Sequence, residues 1–220
     1  MRSSVSIVIC NYNREKLVAR AIRSCLSQVC NQRQVEVIVV DDGSTDNSIS
    51  VIKSFGDEIK LISLPENKGV SYASNIGLNN SMGDYWIRVD SDDYLSSDAI
   101  NIYSLILDYN KYLDYVFGDV LRLSVHGEVL KRINLSASDS HFEYGAGVLF
   151  RRDELLSLGG YDENLRNAED YDLFLRLRNL DKKYLHVPIP LYRYYDGDDN
   201  LTKSPDRKES IQNIKRKYNV

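Results

Sequence analysis

Residues 5–13 read VSIVICNYN, an apolar, β-branched run that stops at a polar tripeptide. The run is too apolar to leave one face in water, so it predicts a strand that is buried on both faces and ends in a polar loop. Similar runs occur at residues 35–40, 59–64 and 85–89. Two of these end in acidic loops, DDGSTD at residues 41–46 and DSDD at residues 90–93. The first half of the chain therefore predicts four buried strands, three of which end in Asn- or Asp-rich loops.

Between these runs, apolar residues recur every three or four positions, as in amphipathic helices. Helices are predicted after Asn13 as N-cap, around residues 49–55, and at residues 70–80. The order βαβαβαβ predicts an α/β fold with a Rossmann-like, mostly parallel central sheet and helices on both faces. Ligands of such sheets bind beyond the carboxyl ends of the strands, so the three polar loops are expected on one rim.

After residue 95 the pattern loosens and predicts a smaller region. Its expected elements are a helix at residues 99–109, strands at 115–118, 120–123 and 145–150, and helices at 153–158 and from about 169. We find no linker or repeat, so we expect a single domain over residues 1–200, with halves at 1–95 and 96–200.

Residues 201–220 are basic and form a predicted C-terminal helix or tail, with Ile211, Ile214 and Tyr218 at helical spacing and Pro205 in the first turn. Such a helix either docks against the domain or makes a peripheral contact with the inner face of an anionic membrane.

The composition excludes several classes of protein. The 220 residues carry 28 Lys and Arg against 32 Asp and Glu, a net charge of −4, and the acids are 22 Asp and 10 Glu. An acidic chain argues against nucleic-acid binding, and an excess of Asp suggests functional loops. Three cysteines without disulfide or zinc spacing suggest a reducing compartment. With no signal-peptide segment at the start and no apolar run of membrane-spanning length, a cytoplasmic location is expected.

The DSDD loop places Asp90, Asp92 and Asp93 within four residues. Sharing a cation would relieve their mutual repulsion, and hard carboxylate oxygens suit Mg²⁺ or Mn²⁺ bound together with substrate phosphates. The alternative is a solvated loop in which an Asp caps the following helix.

Asp41 and Asp42 follow a central strand, where a carboxylate can accept hydrogen bonds from a base or from ribose hydroxyls. The alternative is a turn whose acids cap the next helix. Between the two acidic loops lie four further candidates: Asn67, Lys68, Gly69 and Asn75. The glycine allows close backbone approach, and the lysine could meet a phosphate.

Glu169 and Asp170 open a predicted helix. One of them could act as a general base, or both could merely complement the helix dipole. Further along, three tyrosines surround Arg193 and could stack on a sugar or face a phosphate, although tyrosine serves equally well at the edge of a core.

Together these motifs resemble glycosyltransferase family 2, whose members have the GT-A fold. The resemblance runs nearly end to end through the following segments: 5–13, 39–46, 67–69, 90–93, 150–152, 159–163 and 169–173. It implies an inverting transfer of a sugar from a nucleotide diphosphate sugar, a UDP-sugar first of all, to a hydroxyl of a glycan or lipid-linked glycan acceptor. It also implies Mn²⁺ or Mg²⁺ as cofactor and a place in bacterial surface polysaccharide or glycoconjugate synthesis.

The resemblance further implies roles for individual residues. The nucleotide sugar would be bound by Cys10, Asn11, Tyr12, Asn13, Asp41, Asp42, Asn67, Lys68, Gly69, Asn75, Asp90 and Ser91. The metal ligands would come from Asp90, Asp92 and Asp93, the catalytic pair would be Asp170 as base with Glu169, and the acceptor would lie near Tyr144, Gly145, Gly147 and Arg193.

Two positions depart from the family's pattern. Residues 73–75 read Ala-Ser-Asn where members often have Ala-Arg-Asn, so an arginine contact to the donor is missing. Tyr195 and Asp196 follow Arg193 where many members have a histidine, so a late ligand of the metal or diphosphate would differ.

Two alternatives stay open. A phosphotransferase or phosphatase of the haloacid dehalogenase type could use Asp90 and Asp92 as nucleophile and acid, although that class places its D-x-D after the first strand. The second alternative is a module that binds a nucleotide sugar but does not catalyse turnover. Neither a dinucleotide fingerprint nor a P-loop follows any strand, and a membrane-channel polysaccharide synthase is disfavoured by the lack of a transmembrane segment.

Overall fold

The computed structural model describes residues 3–30, 32–136, 144–197 and 200–219. Four parallel strands lie in the order β3-β2-β1-β4. They are β1 (Val5–Asn11), β2 (Val35–Asp41), β3 (Lys60–Ser63) and β4 (Tyr85–Asp90). The register pairs Cys10 with both Val40 and Asp90, so the carboxyl ends of the central strands are level. The predicted α/β architecture is confirmed.

Helices cover both faces of this parallel half. They are α1 (Val18–Leu26), α2 (Ser48–Lys53) and α3 (Val70–Asn79). Strands β1 to β3 follow one another across the sheet, whereas β4 returns to the other side of β1. Right-handed crossovers therefore put α1 and α2 on one face and α3 on the other. The reversal between β1 and β4 leaves a crevice at the carboxyl ends, where sheets of this kind bind ligands.

The second half extends the same sheet, so that all nine strands among the described residues belong to it. Its elements are β5 (Tyr94–Leu95), α4 (Ala99–Tyr109), β6 (Tyr115–Leu123), β7 (Val129–Ile133), β8 (Leu149–Arg151), α5 (Arg152–Ser157), α6 (Glu169–Asn179), β9 (Tyr184–Tyr195) and α7 (Arg207–Tyr218). Strand β8 joins the halves because it pairs antiparallel with both β4 and β6. Buried residues of both halves form one continuous hydrophobic core.

Strands of the second half differ from the sequence prediction. Strand β9 is 12 residues long and contains Pro188 and Pro190, which argue against a strand when the sequence is considered alone. Its pairing with β6 shifts register near Asp119. The strand predicted at 145–150 shrinks to β8, because Gly147 has a φ of 78° and its N–H donates to the Arg88 carbonyl at 2.8 Å. Strand β5 has only 2 residues and β7 is mostly exposed, and neither strand was predicted.

Two predicted helix starts are wrong. Asn13 is not the N-cap of α1, which begins after Leu17. Instead, Asn13 has a φ of 51° and its Oδ1 accepts a hydrogen bond from the Thr45 N–H at 2.8 Å. Pro205 lies before α7 rather than in its first turn, since the N-cap is Asp206.

Helix α7 packs against α6. Ile214 is buried in the hydrophobic core, and Lys217 Nζ and the Tyr218 hydroxyl both donate to Asp172 Oδ1, at 3.1 and 2.9 Å. These contacts favour the docked alternative for the C-terminal helix. Within the described ranges, no helix combines the length and apolar character needed to cross a bilayer.

Candidate functional site

A cavity of about 600 Å³ opens at the carboxyl ends of β1 and β4. Most of the predicted site residues line it: Cys10, Asn11, Tyr12, Asn13, Asp42, Asn67, Gly69, Asp90, Ser91, Asp92, Asp93, Tyr144, Gly145, Glu169 and Asp170. Residues far apart in sequence therefore meet in one place, on the rim expected from the strand order.

The loops after β1 and β2 are locked together. Asn11 Nδ2 donates to Asp41 Oδ1 at 2.7 Å, and the Ser44 N–H donates to Asp41 Oδ2 at 3.0 Å. Asp41 is fully buried and is not among the residues that line the cavity. The structure therefore does not bring Asp41 into the cavity with the other predicted residues, and its carboxylate holds the loop.

Asp42 has a different position from its neighbour. It lines the cavity and accepts hydrogen bonds from the backbone N–H groups of Lys68 and Gly69, at 2.8 and 2.7 Å. Burial raises the pKa of its carboxyl group. Gly43 makes this approach possible, since it has a φ of 71° and a Cβ there would lie 2.5 Å from the Glu66 carbonyl carbon. Asp42 thus ties the loop after β3 to the cavity wall.

The acids of the DSDD loop have separate surroundings. Asp90 Oδ1 lies 3.3 Å from Arg88 Nε, and Asp92 Oδ2 lies 3.2 Å from Arg14 Nε. Asp93 is buried and accepts a hydrogen bond from the Tyr195 N–H at 2.7 Å. Desolvation deep in the cavity raises the pKa of Asp90 to about 6, and burial also raises that of Asp93.

Arg88 lies at the centre of the acidic cluster, although sequence reasoning missed it. Its side chain is 2% exposed, and it forms ion pairs with Glu169 Oε1 at 3.1 Å and Asp170 Oδ2 at 3.0 Å in addition to that with Asp90. It also lies 5.1 Å from the centre of the Tyr161 ring. One buried guanidinium therefore connects the DSDD loop to the start of α6. The sequence feature that could have identified Arg88 is a charged residue inside an otherwise apolar strand.

Glu169 and Asp170 are presented by the first turn of α6. Burial, and next the charge of Asp170, raises the pKa of Glu169 to about 7. Asp170 Oδ1 is buried and has no hydrogen-bond partner among the described residues. A Cβ at Gly145 would lie 2.0 Å from this oxygen, so only glycine lets the backbone pass there. Asp170 is thus held by Arg88 through Oδ2, while Oδ1 packs against Gly145 and makes no hydrogen bond within the described part of the chain.

The donor set suits a hard divalent cation. Six carboxylates among the described residues line the cavity against four arginines: Asp42, Asp90, Asp92, Asp93, Glu169 and Asp170 against Arg14, Arg88, Arg166 and Arg207. Asp90 Oδ1 is buried and, apart from Arg88 Nε at 3.3 Å, has no hydrogen-bonding group of the described residues against it. However, no three His, Cys, Asp or Glu side chains in the described part of the chain are already grouped as metal ligands. Asp90 and Asp92 fit the cation, whereas Asp93 is turned toward the backbone of β9.

Two predicted donor residues have structural roles. Lys68 Nζ lies outside the cavity, 3.9 Å from Glu66 Oε1 and 5.0 Å from the centre of the Tyr72 ring. Asn75 binds the backbone of Tyr161, donating to its carbonyl at 2.9 Å and accepting from its N–H at 2.8 Å. Neither side chain lines the cavity, so the structure does not bring these two residues together with the other predicted donor residues.

Two predicted acceptor residues are also displaced from the cavity. Arg193 Nη1 donates to the Pro190 carbonyl at 2.6 Å, and a Cβ at Gly147 would lie 2.4 Å from the Tyr192 ring. Side chains alternate along β9, so Tyr192 and Tyr194 line the cavity in place of Arg193.

Arg166 is a further residue that sequence reasoning missed. It lines the cavity beside Gly69, and its Nη1 donates to Asn67 Oδ1 at 3.3 Å. No described carboxylate lies within ion-pair distance of it, which distinguishes it from Arg14 and Arg88. The only feature of the sequence that could have pointed to Arg166 is its position three residues before the Glu169-Asp170 pair.

Known proteins with similar sequences are glycosyltransferases. The model of Glycosyl transferase family 2 matches residues 6–153. An uncharacterized glycosyltransferase of Haemophilus influenzae is 32% identical over 67% of this chain and 59% of its own length. Chondroitin synthase of Pasteurella multocida is 29% identical over 93% of this chain and 22% of its own length. The chain thus spans less than two thirds of either relative.

A solved structure shares the fold. The crystal structure of S. aureus TarS residues 1–349 in complex with UDP-GlcNAc superposes with a TM-score of 0.81 at 20% identity, over 98% of this chain and 65% of the other. This similarity confirms the GT-A fold. The family match over two thirds of the sequence establishes that the chain belongs to glycosyl transferase family 2.

Proposed function

We propose that the protein is an inverting glycosyltransferase, which moves a sugar from a nucleotide diphosphate sugar to an acceptor hydroxyl in the synthesis of a bacterial surface polysaccharide or glycoconjugate. The observation that carries the proposal is the Asp170 carboxylate. Its Oδ2 pairs with Arg88 at 3.0 Å, its Oδ1 has no hydrogen-bond partner among the described residues, and the residue lines the cavity. A carboxylate so placed can accept the proton of an incoming hydroxyl.

The donor would occupy the β1 and β2 side of the cavity. Asn11, Tyr12 and Asn13 would surround the nucleoside, and Asp42 would accept hydrogen bonds from the base. Arg166 would meet the diphosphate, in place of the arginine that residues 73–75 lack. A UDP-sugar is the first candidate, which the UDP-GlcNAc complex of TarS supports.

Asp90 and Asp92 would hold Mn²⁺ or Mg²⁺, which supplies positive charge to the leaving diphosphate when bound. Asp170 takes the hydroxyl proton while the hydroxyl oxygen bonds to the anomeric carbon and the bond to the diphosphate breaks. Attack on the face opposite the leaving group inverts the anomeric configuration. Arg88 keeps Asp170 and Glu169 in position, and the missing side chain of Gly145 leaves room beside the carboxylate.

Membership of family 2 removes the haloacid dehalogenase alternative, and the DSDD loop follows the fourth strand rather than the first. A binding module without turnover is the remaining alternative, against which the ion-paired Asp170 argues. We propose a cytoplasmic location, which the three free cysteines support.

Nucleotide binding provides the first test. With Mn²⁺ present, one of UDP, GDP, CDP and dTDP is expected to raise the melting temperature clearly. At 100 times its dissociation constant, the bound nucleotide should add about 2.7 kcal/mol to the free energy of unfolding. Asp92→Asn should weaken the shift, whereas Asp57→Asn, an exposed acid remote from the cavity lining, should not. The donor site would be refuted if none of the four nucleotides shifted the transition.

A further inference from the structure

A second cavity of about 200 Å³ adjoins the main one. Four residues line both cavities: Tyr144, Tyr194, Thr202 and Arg207. The remaining described walls of the smaller cavity are Arg122, Asp196 and Lys203. We call it the basic side cavity.

Positive charge exceeds negative charge in the described walls of the basic side cavity. Its one carboxylate, Asp196, is shared by two cations, with Arg122 Nη2 at 2.8 Å and Lys203 Nζ at 3.1 Å. The hydrogen bond from Arg122 lowers the pKa of Asp196, so this acid is ionised and already paired at neutral pH. Arg207 adds a third cation, and no described carboxylate lies within ion-pair distance of it. Among the described wall residues, three cations thus face one acid, which favours a bound anion.

The basic side cavity lies next to the proposed base. Tyr144 forms part of its wall, and the adjoining Gly145 touches the Asp170 carboxylate. The nucleoside-side residues Asn11 and Asp42 are absent from its lining among the described residues. A ligand group in this cavity would therefore belong to the molecule that approaches Asp170.

The wall between the two cavities is ordered by direct contacts. The rings of Tyr144 and Tyr194 meet edge to face, 5.8 Å apart at 81°. The Tyr194 hydroxyl lies 2.5 Å from Thr202 Oγ1 and accepts a hydrogen bond from Asn200 Nδ2 at 2.9 Å. Aromatic faces of this kind suit a sugar ring, whose attached charged group would then reach Arg207 and Lys203.

We propose that the basic side cavity binds an anionic group, a carboxylate or a phosphate, carried by the acceptor glycan. This inference rests on the proposed transferase function and names the acceptor class. Among the described residues, acids outnumber cations by six to four in the main cavity, whereas cations outnumber acids by three to one in the basic side cavity, so an acceptor anion is better placed in the latter. Charge-assisted hydrogen bonds from arginine and lysine are the interactions that select such groups.

Three matched sugars test the proposal: methyl glucuronide, methyl glucoside 6-phosphate and methyl glucoside. Their affinities are measured by NMR titration of the full chain, saturated with diamagnetic Mg²⁺ and the nucleotide that stabilises it best, at 0.15 M salt. At least one charged sugar is expected to bind tenfold or more tightly than the neutral one, and the carboxylate and phosphate arms identify which anion is preferred. The double variant Lys203→Gln/Arg207→Gln should remove most of this preference, while Arg216→Gln, an exposed cation on the same helix, should preserve it.

The outcomes separate this inference from the function on which it rests. Equal or undetectable binding of all three sugars, or a charge preference that survives the double variant, would overturn it even if the nucleotide binds. A double variant that weakens nucleotide binding instead would assign Arg207 to the donor and also overturn it. Failure of every nucleotide to bind would count against the proposed function, independently of the sugar affinities.

Discussion

Asp170→Asn is expected to lower the rate of sugar transfer by about 10²- to 10⁴-fold, the contribution typical of a general base. The amide has nearly the shape of the carboxylate and can still accept a hydrogen bond from Arg88, but it cannot take the hydroxyl proton. Nucleotide affinity should change little, because Asp170 contacts Arg88 and Gly145 rather than the nucleoside side of the cavity. Initial rates of nucleotide diphosphate release and nucleotide titrations measure the two quantities.

Asp153→Asn is the matched control, since Asp153 lies in the first turn of α5 with its side chain 95% exposed. It should transfer sugar at the wild-type rate. Equal loss of nucleotide binding and transfer in Asp170→Asn would show a structural rather than catalytic role for this acid. Wild-type transfer by Asp170→Asn would exclude it as the base.

Arg88→Met is expected to lower the free energy of unfolding by about 3–5 kcal/mol, because it leaves buried carboxylates without their shared cation. Arg88 pairs with Asp90, Glu169 and Asp170 within 3.3 Å, and its side chain is 2% exposed. Transfer should fall as well, since the base loses the group that positions it. Urea unfolding and the transfer rate are the measurements.

Arg88→Lys separates charge from geometry. Lysine keeps the positive charge but lacks the planar fork that holds two carboxylates at once, so stability should recover more than transfer does. Arg216→Met is the matched control and should unfold like the wild type. If Arg88→Met retained wild-type stability, the stability of the folded acidic cluster would not depend on its ion pairs with Arg88.

The strands of the parallel half, unlike the start of α1, could be predicted to within one residue. Strands β1, β2 and β4 are buried on both faces, so each appears as an apolar run that stops where the sheet ends. Strand β9 could not be found in this way, because it contains two prolines and alternates between buried and exposed residues. Its pairing with β6 depends on residues distant in sequence, which local patterns do not encode.

The location of the candidate site was predictable, but the direction of each side chain was not. Strand order alone brings the Asp42 and Asp90 loops together. Whether Asp41 or Asp42 faces the cavity depends on the hydrogen bonds of a single turn. Arg88 escaped prediction because its partners, Glu169 and Asp170, are about 80 residues away along the chain.

Turnover of nucleotide sugars in the presence of Mg²⁺ is the measurement that tests the proposed function most directly. Proton NMR of a mixture containing the protein, an α-linked nucleotide diphosphate sugar and a glycan acceptor follows both the released nucleotide and the anomeric configuration of the product. We predict release of the nucleotide diphosphate and a β-linked product, with both abolished by Asp170→Asn. A product that retains the α configuration, or no release from UDP-, GDP-, CDP- or dTDP-sugars, would contradict the assignment of an inverting glycosyltransferase.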